Sequence, residues 1–520
     1  MRMIDFFDRG ARNAPDRVCM ATADGATSST YAEVRARSNR IGNALIADGF
    51  AAGAHGAVLS GNAPRAFEAI LGILRADGVW VMANNRASVD ENAYLLDLLD
   101  VDTLFVHSEA ADRIARFRAE CPNIRRYVAI DRKLAEADAF LGDWLEQASD
   151  AEVPERRSGA PEELAFLANT GGTTGRSKGV MLTNLVWQTM VASLVASMPM
   201  KRPPVNLVAA PMTHAAGPLA LASMALGGTV AVLPKFEPEA ALRAIEKHRV
   251  SYMFLPPTAI YMMLSHPGVR DFDTSSLEYI SYAGAPMSLD RLREAIDVFG
   301  NVMNASFGQT ESPMCVTAMP PHQHLNERGE LAHPGSCGQA NLLSRVEIMD
   351  DEGNLLPPGK HGEIVVKGPL VMAGYYRNPE ATAEASRFGW HHTGDIGYRD
   401  EQGWFYIVDR KKDMIITGGF NVYPAEVEQA LQAHPAVQDC AVFGIPDENW
   451  GEQVTAVVEP RAGVTPPTAV ELLAFVREKL GAVKTPKALS YMDSLPRSTA
   501  GKVLRGDLRK PYWRNVERAI

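Results

Sequence analysis

Cysteine is scarce: five residues in a 520-residue chain (Cys19, Cys121, Cys315, Cys337 and Cys440), with no CxxC pair and no histidine at finger spacing. That pattern excludes a disulfide framework and a zinc finger, and it fits a reducing, cytoplasmic compartment. A signal-peptide core is also missing, because Asp5, Asp8, Arg9, Arg12, Asp16 and Arg17 interrupt the apolar residues between Met1 and Val18. The longest run without Lys, Arg, Asp or Glu, from Pro203 to Pro234, is cut by Pro211, Pro218, Gly227 and Gly228 into pieces too short to cross a bilayer. It reads as buried core, and no transmembrane segment is expected. Positive charge is in deficit: 52 Lys+Arg stand against 62 Asp+Glu, a formal net charge of −10. A general binder of nucleic-acid backbones is thereby disfavoured, and any anionic ligand must be met by local charge. Internal repeats and low-complexity tracts are absent.

What is present is ordinary globular composition, 46% hydrophobic and 22% charged, in a chain long enough for about three compact units. Helical stretches alternate with short apolar runs (Gly56 to Leu59, Thr103 to Val106), and after a linker-like patch from Ser149 to Glu163 the alternation resumes. Strands are expected at Leu164 to Ala168, Val205 to Ala210, Thr229 to Leu233 and Val250 to Leu255, and ending near Tyr282 and Ser306, with a helix near Glu239 to His248. This is doubly wound α/β. From Gly362 closely spaced β runs (Glu363 to Lys367, Trp404 to Val408) suggest a small β subdomain. Beyond Asp409 to Asp413, about 110 residues have the length of a separate small α+β domain. Its first helix opens at Pro424, strands lie at Gln438 to Gly444 and Gln453 to Glu459, and Val470, Leu473, Val476 and Leu480 line one face of its second helix.

The segment Thr170-Gly171-Gly172-Thr173-Thr174-Gly175-Arg176-Ser177-Lys178-Gly179 carries the strongest chemical signal. Small residues let backbone N–H groups approach an anion, and hydroxyls with one ammonium complete the cradle. It is not a Walker A loop, since Ser177 precedes Lys178 and Gly179 follows it. A flexible surface turn is the plain alternative. The run resembles the pyrophosphate loop of the adenylate-forming superfamily, which includes acyl- and aryl-CoA synthetases. Further blocks follow in that superfamily's order: Tyr282-Ala283-Gly284-Ala285-Pro286, Phe307-Gly308-Gln309-Thr310-Glu311, His392-Thr393-Gly394-Asp395, Asp409-Arg410-Lys411-Lys412-Asp413, Gly418 to Pro424, and Pro496 to Lys502. Seven blocks in register cover nearly the whole chain.

The resemblance implies a large N-terminal adenylation domain, residues 1–409, and a small mobile C-terminal lid, residues 410–520, hinged at 409–413 with Lys412 as pivot. It implies ATP, Mg²⁺ and coenzyme A as cofactors and co-substrates, and a small-molecule carboxylic acid as the partner; a homodimer is compatible with it. Glu311 is a hard carboxylate suited to Mg²⁺ that also touches phosphate, and Thr310 can donate to the α-phosphate; a solvated loop acid is the bland alternative. Thr173, with Thr170, Gly171, Gly172, Thr174, Gly175 and Lys178, holds the phosphates. Gly284, Ala285 and Pro286 form a flat wall for adenine, and Asn304, Phe307 and Gly308 join the nucleotide contacts. Asp395, read as lying in the turn after His392, accepts the ribose hydroxyls, with Arg410 as a second contact. Lys502 bridges carboxylate and α-phosphate: two anions must meet at phosphorus, so positioning and positive charge dominate. Gly418 and Gly419 let pantetheine pass, and Lys484 and Lys487 lie near CoA. Nine Lys or Arg against two Asp between Lys479 and Arg514 suit a polyanion, or form a solvated basic face.

His214, in Pro211 to Gly217, matches the histidine that borders the superfamily's acyl pocket, with a satisfied core histidine as the alternative. Ala215, Ala216, Ala220, Ser281, Gly284 and Gly308 match pocket-lining positions, and their smallness implies a roomy uncharged slot. With no Asp in the His214 loop and no Arg or Lys at these positions, an amino acid and a short dicarboxylate are disfavoured. The expected activity is therefore an AMP-forming acid–CoA ligase acting on an apolar monocarboxylate, medium- or long-chain fatty or aryl. The alternatives are an acyl-AMP ligase that loads a carrier protein, and a non-catalytic ligand-binding relative.

Overall fold

The computed structural model describes residues 1–170, 176–461, 463–497 and 503–513. Among them, β-rich runs assemble into sheets of eight, thirteen and five strands. The eight-stranded sheet is a doubly wound parallel array (Val79–Met82, His55–Leu59, Val101–Val106 and Arg126–Ala129 among its strands) extended on one side by Leu164–Asn169, Gly179–Thr183 and the short edge strand Gly374–Tyr375. The thirteen-stranded sheet places Thr229–Val232, Val205–Val208, Tyr252–Leu255, Tyr279–Tyr282 and Met303–Phe307 in parallel. Antiparallel pairing then continues through Thr317–Met319 and Gly338–Ala340 into Trp404–Arg410 and His391–Arg399. The β-rich stretch after Gly362 is thus laddered onto the edge of the parallel strands.

The largest core lies between these two sheets and is filled by the helices Met3–Asn13, Pro64–Arg75, Asn184–Ser197 and Ala216–Ala225. Trp80 stacks on Phe166 with ring centroids 6.2 Å apart, Trp187 meets Phe166 edge-on at 6.4 Å, and Phe6 meets Trp187 edge-on at 5.6 Å. Each such side chain contributes roughly 1.5–3 kcal/mol through removal from water. The run from Pro203 to Pro234 is buried within this region as strand, helix and strand. Among the described residues no helix is long and apolar enough to cross a membrane, and all five cysteines are free thiols.

Two expectations change. The patch from Ser149 to Glu163 does not link separate bodies. It is strapped down by its arginines: the Arg156 guanidinium donates to the Phe50 carbonyl at 3.1 Å, and the Arg156 and Arg157 N–H groups both donate to Asp77. Polar composition here serves anchoring: two backbone N–H groups bond the buried Asp77 carboxylate and a guanidinium bonds a backbone carbonyl. In the last domain, helix Ala469–Lys484 is capped by a Thr468/Glu471 box. Its buried stripe is Leu472 and Val476, flanked by Phe475 and Leu480, while Val470 in the first turn is 76% exposed. The stripe keeps Val476 and Leu480 as expected but starts at Leu472 in place of Val470 and Leu473, because Leu472 is the residue buried against the five-stranded sheet. That sheet orders Phe420–Val422, Ile415–Thr417, Gly451–Pro460 and Val437–Asp447, with Ala488–Tyr491 added in parallel to Gly451–Pro460.

Candidate active site

The glycine-rich segment is the tip of a hairpin whose two strands, Leu164–Asn169 and Gly179–Thr183, are anchored in the eight-stranded sheet. Its neck is closed twice: Thr170 N–H donates to the Lys178 carbonyl at 3.1 Å, and Lys178 N–H donates to Thr170 Oγ1 at 3.1 Å. The tip residues Gly171, Gly172, Thr173, Thr174 and Gly175 lie outside the described residues, as does Lys502. Past the tip, the Ser177 hydroxyl donates to Glu91 at 3.0 Å and the Arg176 guanidinium lies 5.0 Å from the Tyr94 ring centroid. Ser177 therefore spends its hydroxyl on helix Val89–Leu98 instead of on the cradle.

Lys178 sets its ammonium 4.7 Å from the centroid of Tyr375, and the Tyr375 hydroxyl donates to Glu311 Oε1 at 2.7 Å. One phenol thus joins the neck of the phosphate hairpin to the carboxylate beyond strand Met303–Phe307, across the gap between the two large sheets. Burial and the Glu311 charge push the Tyr375 hydroxyl far above its ordinary pKa, so it remains a donor. The loop carrying Thr310 and Glu311 is folded back tightly. Gly308 has no room for a side chain, since a Cβ there would lie 2.6 Å from Met314 N, and the Ser306 hydroxyl donates to the Met314 carbonyl. Gln309 N–H to the Ser312 carbonyl, 2.9 Å, fixes the turn between them.

Asp395 is 3% exposed and stands inside strand His391–Arg399, not in a turn. The Thr-Gly pair before it has turn chemistry, but ladders on both sides capture the backbone; Gly394 takes φ +69° and donates its N–H to Glu363 at 2.9 Å. Asp395 faces Arg410 across the ladder, with Arg410 Nε 2.8 Å from Oδ1. Gln309 Nε2 donates both to Asp395 Oδ2 at 2.8 Å and to the Thr393 carbonyl at 2.6 Å, while its Oε1 lies 3.2 Å from His391 Nε2. Burial tends to raise the Glu363 carboxyl, but His392, the Gly394 N–H and Lys411 outweigh it and hold it below its ordinary value. Gly284, Ala285 and Pro286 form an exposed turn after strand Tyr279–Tyr282, with Gly284 at φ +86°. Phe307 ends its strand buried.

His214 is half-buried in the turn leading into helix Ala216–Ala225, which Asn62 steadies by accepting from Met212 N–H at 2.7 Å. Asn304 is buried, donating through Nδ2 to Ser281 Oγ at 2.9 Å. Gly418, Gly419 and Lys484 stand on the five-stranded unit. Gly418 is at φ +58° with Trp450 lying against it, and Lys484 Nζ is held by Glu426 at 2.6 Å. Between this unit and the large sheet, Arg505 meets Asp409 at 3.2 Å, Asp413 at 3.5 Å and Glu428 at 2.5 Å, and Asp409 also accepts the Ala425 N–H at 2.6 Å. Burial raises the pKa of both Asp409 and Glu428 despite this guanidinium. The structure thus gathers Lys178 with Glu311, and Asp395 with Arg410. Tyr375, Gln309 and Arg505 are additions that sequence reasoning missed. Gln309 lies inside the Phe307 to Glu311 block, whereas Tyr375 lies 64 positions from Glu311 in a Gly-Tyr-Tyr run that carries no motif signal.

Among the described residues no group of three or more His, Cys, Asp or Glu forms a metal cage. A single hard carboxylate near a phosphate loop is the donor set that suits Mg²⁺ shared with substrate phosphates. A large α/β body with a glycine-rich hairpin, a buried acid-and-arginine pair and a small α+β unit at its end is the architecture of a nucleotide-dependent ligase.

Comparison with known proteins agrees. A family profile described as AMP-binding enzyme matches residues 7–376, and one described as AMP-binding enzyme C-terminal domain matches residues 426–502. A feruloyl-CoA synthase from Amycolatopsis sp. is 37% identical, covering 97% of this chain and 98% of the relative. A medium/long-chain-fatty-acid–CoA ligase from Mycobacterium tuberculosis is 34% identical over 95% and 88%. The crystal structure of ATP-bound MatB from Rhodopseudomonas palustris superposes with a TM-score of 0.88 at 31% identity, covering 99% of this chain and all of that one. The chain belongs to the AMP-binding enzyme family, the adenylate-forming acid–CoA ligases.

Proposed function

We propose that this enzyme is an ATP- and Mg²⁺-dependent ligase that joins an apolar monocarboxylate, fatty or aryl, to coenzyme A through an acyl-adenylate. The carboxylate oxygen attacks the α-phosphorus of ATP, the α–β phosphoanhydride bond breaks and pyrophosphate leaves. The CoA thiol then attacks the acyl carbon, the acyl–phosphate bond breaks, AMP departs and the thiol proton passes to solvent. The observation that carries this reading is the Lys178–Tyr375–Glu311 chain, which brings a cation and a hard carboxylate to the neck of the phosphate hairpin. Thr170 and the hairpin tip hold phosphate, with Thr173 and Thr310 as hydroxyl donors. Gly284 to Pro286 and Phe307 flank adenine, and Asp395 with Arg410 takes the ribose, steadied by Gln309. Glu311 would hold a magnesium ion, which would supply charge neutralisation for the polyphosphate. Lys502 delivers a second positive charge, and His214 borders the reacting carboxylate.

Residues 1–409 act as the adenylation body and residues 410–520 as a lid turning about Lys412, so that Gly418, Gly419 and Lys484 serve thioester formation. A cytoplasmic setting agrees with five unpaired thiols.

The deciding experiment is acid-dependent AMP formation across fatty, aryl and dicarboxylic acids, with CoA and a carrier protein compared as acceptors. Apolar monocarboxylates with CoA are expected to lead; absence of acid-dependent AMP formation with every acid in the panel refutes the reading. Tyr375→Phe removes a hydrogen bond to a charged acceptor worth about 1.5–3 kcal/mol, so pyrophosphate release should fall roughly 10- to 100-fold. Its Mg²⁺ requirement should rise, and an unchanged magnesium titration refutes the positioning role. Lys412→Pro should slow thioester formation from supplied acyl-AMP more than it slows adenylation; the reverse order sinks the hinge assignment.

A further inference from the structure

One helix of the large α/β body presents an uncharged face to water. Helix Asn184–Ser197 contains no Asp, Glu, Lys or Arg, a composition that suits a helix covered on every side. Leu185, Ala192, Val195 and Ala196 are nevertheless exposed, and their spacing sets them on one face. At the end of this strip Asn341 Nδ2 donates to Ser197 Oγ at 2.8 Å. That bond seats the turn Leu342-Leu343 beside the helix, with Leu342 80% exposed. Single apolar side chains on a surface are ordinary, whereas a run of them joined across two elements marks a contact face.

Cations border this ridge. Lys201 and Arg202 follow the helix, and Arg345 follows the leucine turn. Lys367 stands directly opposite Arg345 across the ladder of strands Arg345–Met349 and Gly362–Lys367, and a Cβ on the next residue, Gly368, would lie 2.8 Å from the Leu343 carbonyl oxygen. The two cations share one indole, lying 5.0 and 5.7 Å from the Trp390 ring centroid. Like charges paired this way across a sheet oppose each other, and an anion in front of both relieves the conflict. Two acids are near, Glu278 at 3.6 Å from Arg202 and Glu347 at 3.3 Å from Arg345, but they lie beneath: the arginine side chains are 49% and 61% exposed, the carboxylates 14% and 13%. Lys201 and Lys367 have no acidic partner among the described residues. The outward face is therefore positive on a chain whose net charge is −10.

We infer that this ridge docks the enzyme on an anionic lipid surface: Leu342, Leu343 and the Val195 face of the helix enter the head-group layer, and Lys201, Arg202, Arg345 and Lys367 meet lipid phosphates around them. Apolar side chains at the centre with Lys and Arg at the border are what an interfacial bilayer contact requires. The same charges argue against a second copy of the chain as occupant, because a two-fold pairing of this patch with itself sets four cations against four. The overall negative charge does not prevent docking, since screening at physiological salt confines the interaction to about 8 Å and only the facing cations count. The inference is independent of which acid the enzyme activates.

The test is co-sedimentation of the full-length enzyme with vesicles of phosphatidylcholine alone and of phosphatidylcholine mixed with phosphatidylglycerol. Binding is expected to the mixed vesicles, to weaken as salt is raised, and to be far lower on phosphatidylcholine alone. Each cation near an anionic surface is worth about fivefold in affinity, so the double variant Lys201→Gln, Lys367→Gln should bind roughly 25-fold more weakly. Leu342→Asp with Leu343→Asp should cost about tenfold or more by withdrawing the apolar tip. Both variants should keep wild-type turnover of water-soluble acids, which reports that they fold; should the leucine pair fail that check, Leu342→Asp alone decides. No binding of wild type to the mixed vesicles overturns the inference, as does binding that neither set of substitutions weakens. A wild-type dimer in sedimentation velocity that Leu342→Asp dissolves assigns the ridge to a second copy and overturns it. Loading of an acidic carrier protein that falls in the lysine variant, with vesicle binding unchanged, assigns the ridge to that partner and overturns it too.

Discussion

Lys502→Ala is expected to reduce acid-dependent pyrophosphate release by about 100- to 1,000-fold, the cost of removing one preorganised donor from a developing charge. Carboxylate and ATP are both anions, and the charges proposed on the adenylation body, Lys178 at the hairpin neck and magnesium on Glu311, serve the polyphosphate more than the incoming acid. The lysine near the carboxyl terminus supplies what remains, so its loss falls on the first half-reaction. Thioester formation from supplied acyl-AMP should fall far less, because the carboxylate is by then esterified and no longer has to be forced against phosphate. Measuring both half-reactions on one preparation separates the outcomes; equal losses in the two would falsify the role assigned to Lys502.

Arg505→Met should destabilise the lid by about 3–5 kcal/mol, because it strands Asp409, Glu428 and Asp413 around an apolar side chain. The loss depends on pH with a definite sign. Burial already raises the folded-state pKa of Asp409 and Glu428 above their unfolded values. Their contribution to stability is therefore fullest below the ordinary carboxylate range and declines as pH climbs through the raised values. Without the guanidinium those values climb further, so the difference in melting temperature between wild type and variant should widen from pH 5 to pH 8. A difference that narrows over that interval rules out the guanidinium as the group that keeps these acids ionised.

Element type and order were readable because the βα units alternate buried apolar strands with amphipathic helices between turn residues, as at the strand Leu164 to Ala168 and the helix Glu239 to His248. The blocks around Glu311 and Asp395 were readable because glycine marks where backbone must come close. Other features were not local. Tyr375 gains its meaning only when the edge strand Gly374–Tyr375 pairs with Gly179–Thr183 and hands its hydroxyl to the neighbouring sheet. Asp395 looked like a turn residue because His-Thr-Gly chemistry says so, and the ladders on either side overrode it. The helix stripe at Leu472 shows the same limit, since which residue of its first turns is buried is settled by what the helix lies against.

Arg410, which clamps Asp395, is the last rung of strand Trp404–Arg410, and the next residues are the short turn Lys411–Asp413. The same few bonds that carry the guanidinium to the proposed sugar-binding acid would also carry the torque of the proposed rotation of the C-terminal unit. On the proposed hinge, occupancy at Asp395 and orientation of the C-terminal unit would be two readings of one segment of backbone, and whatever coupling joins them acts equally in both directions. Discharge of AMP and the return swing should consequently be timed together, with no separate messenger between them.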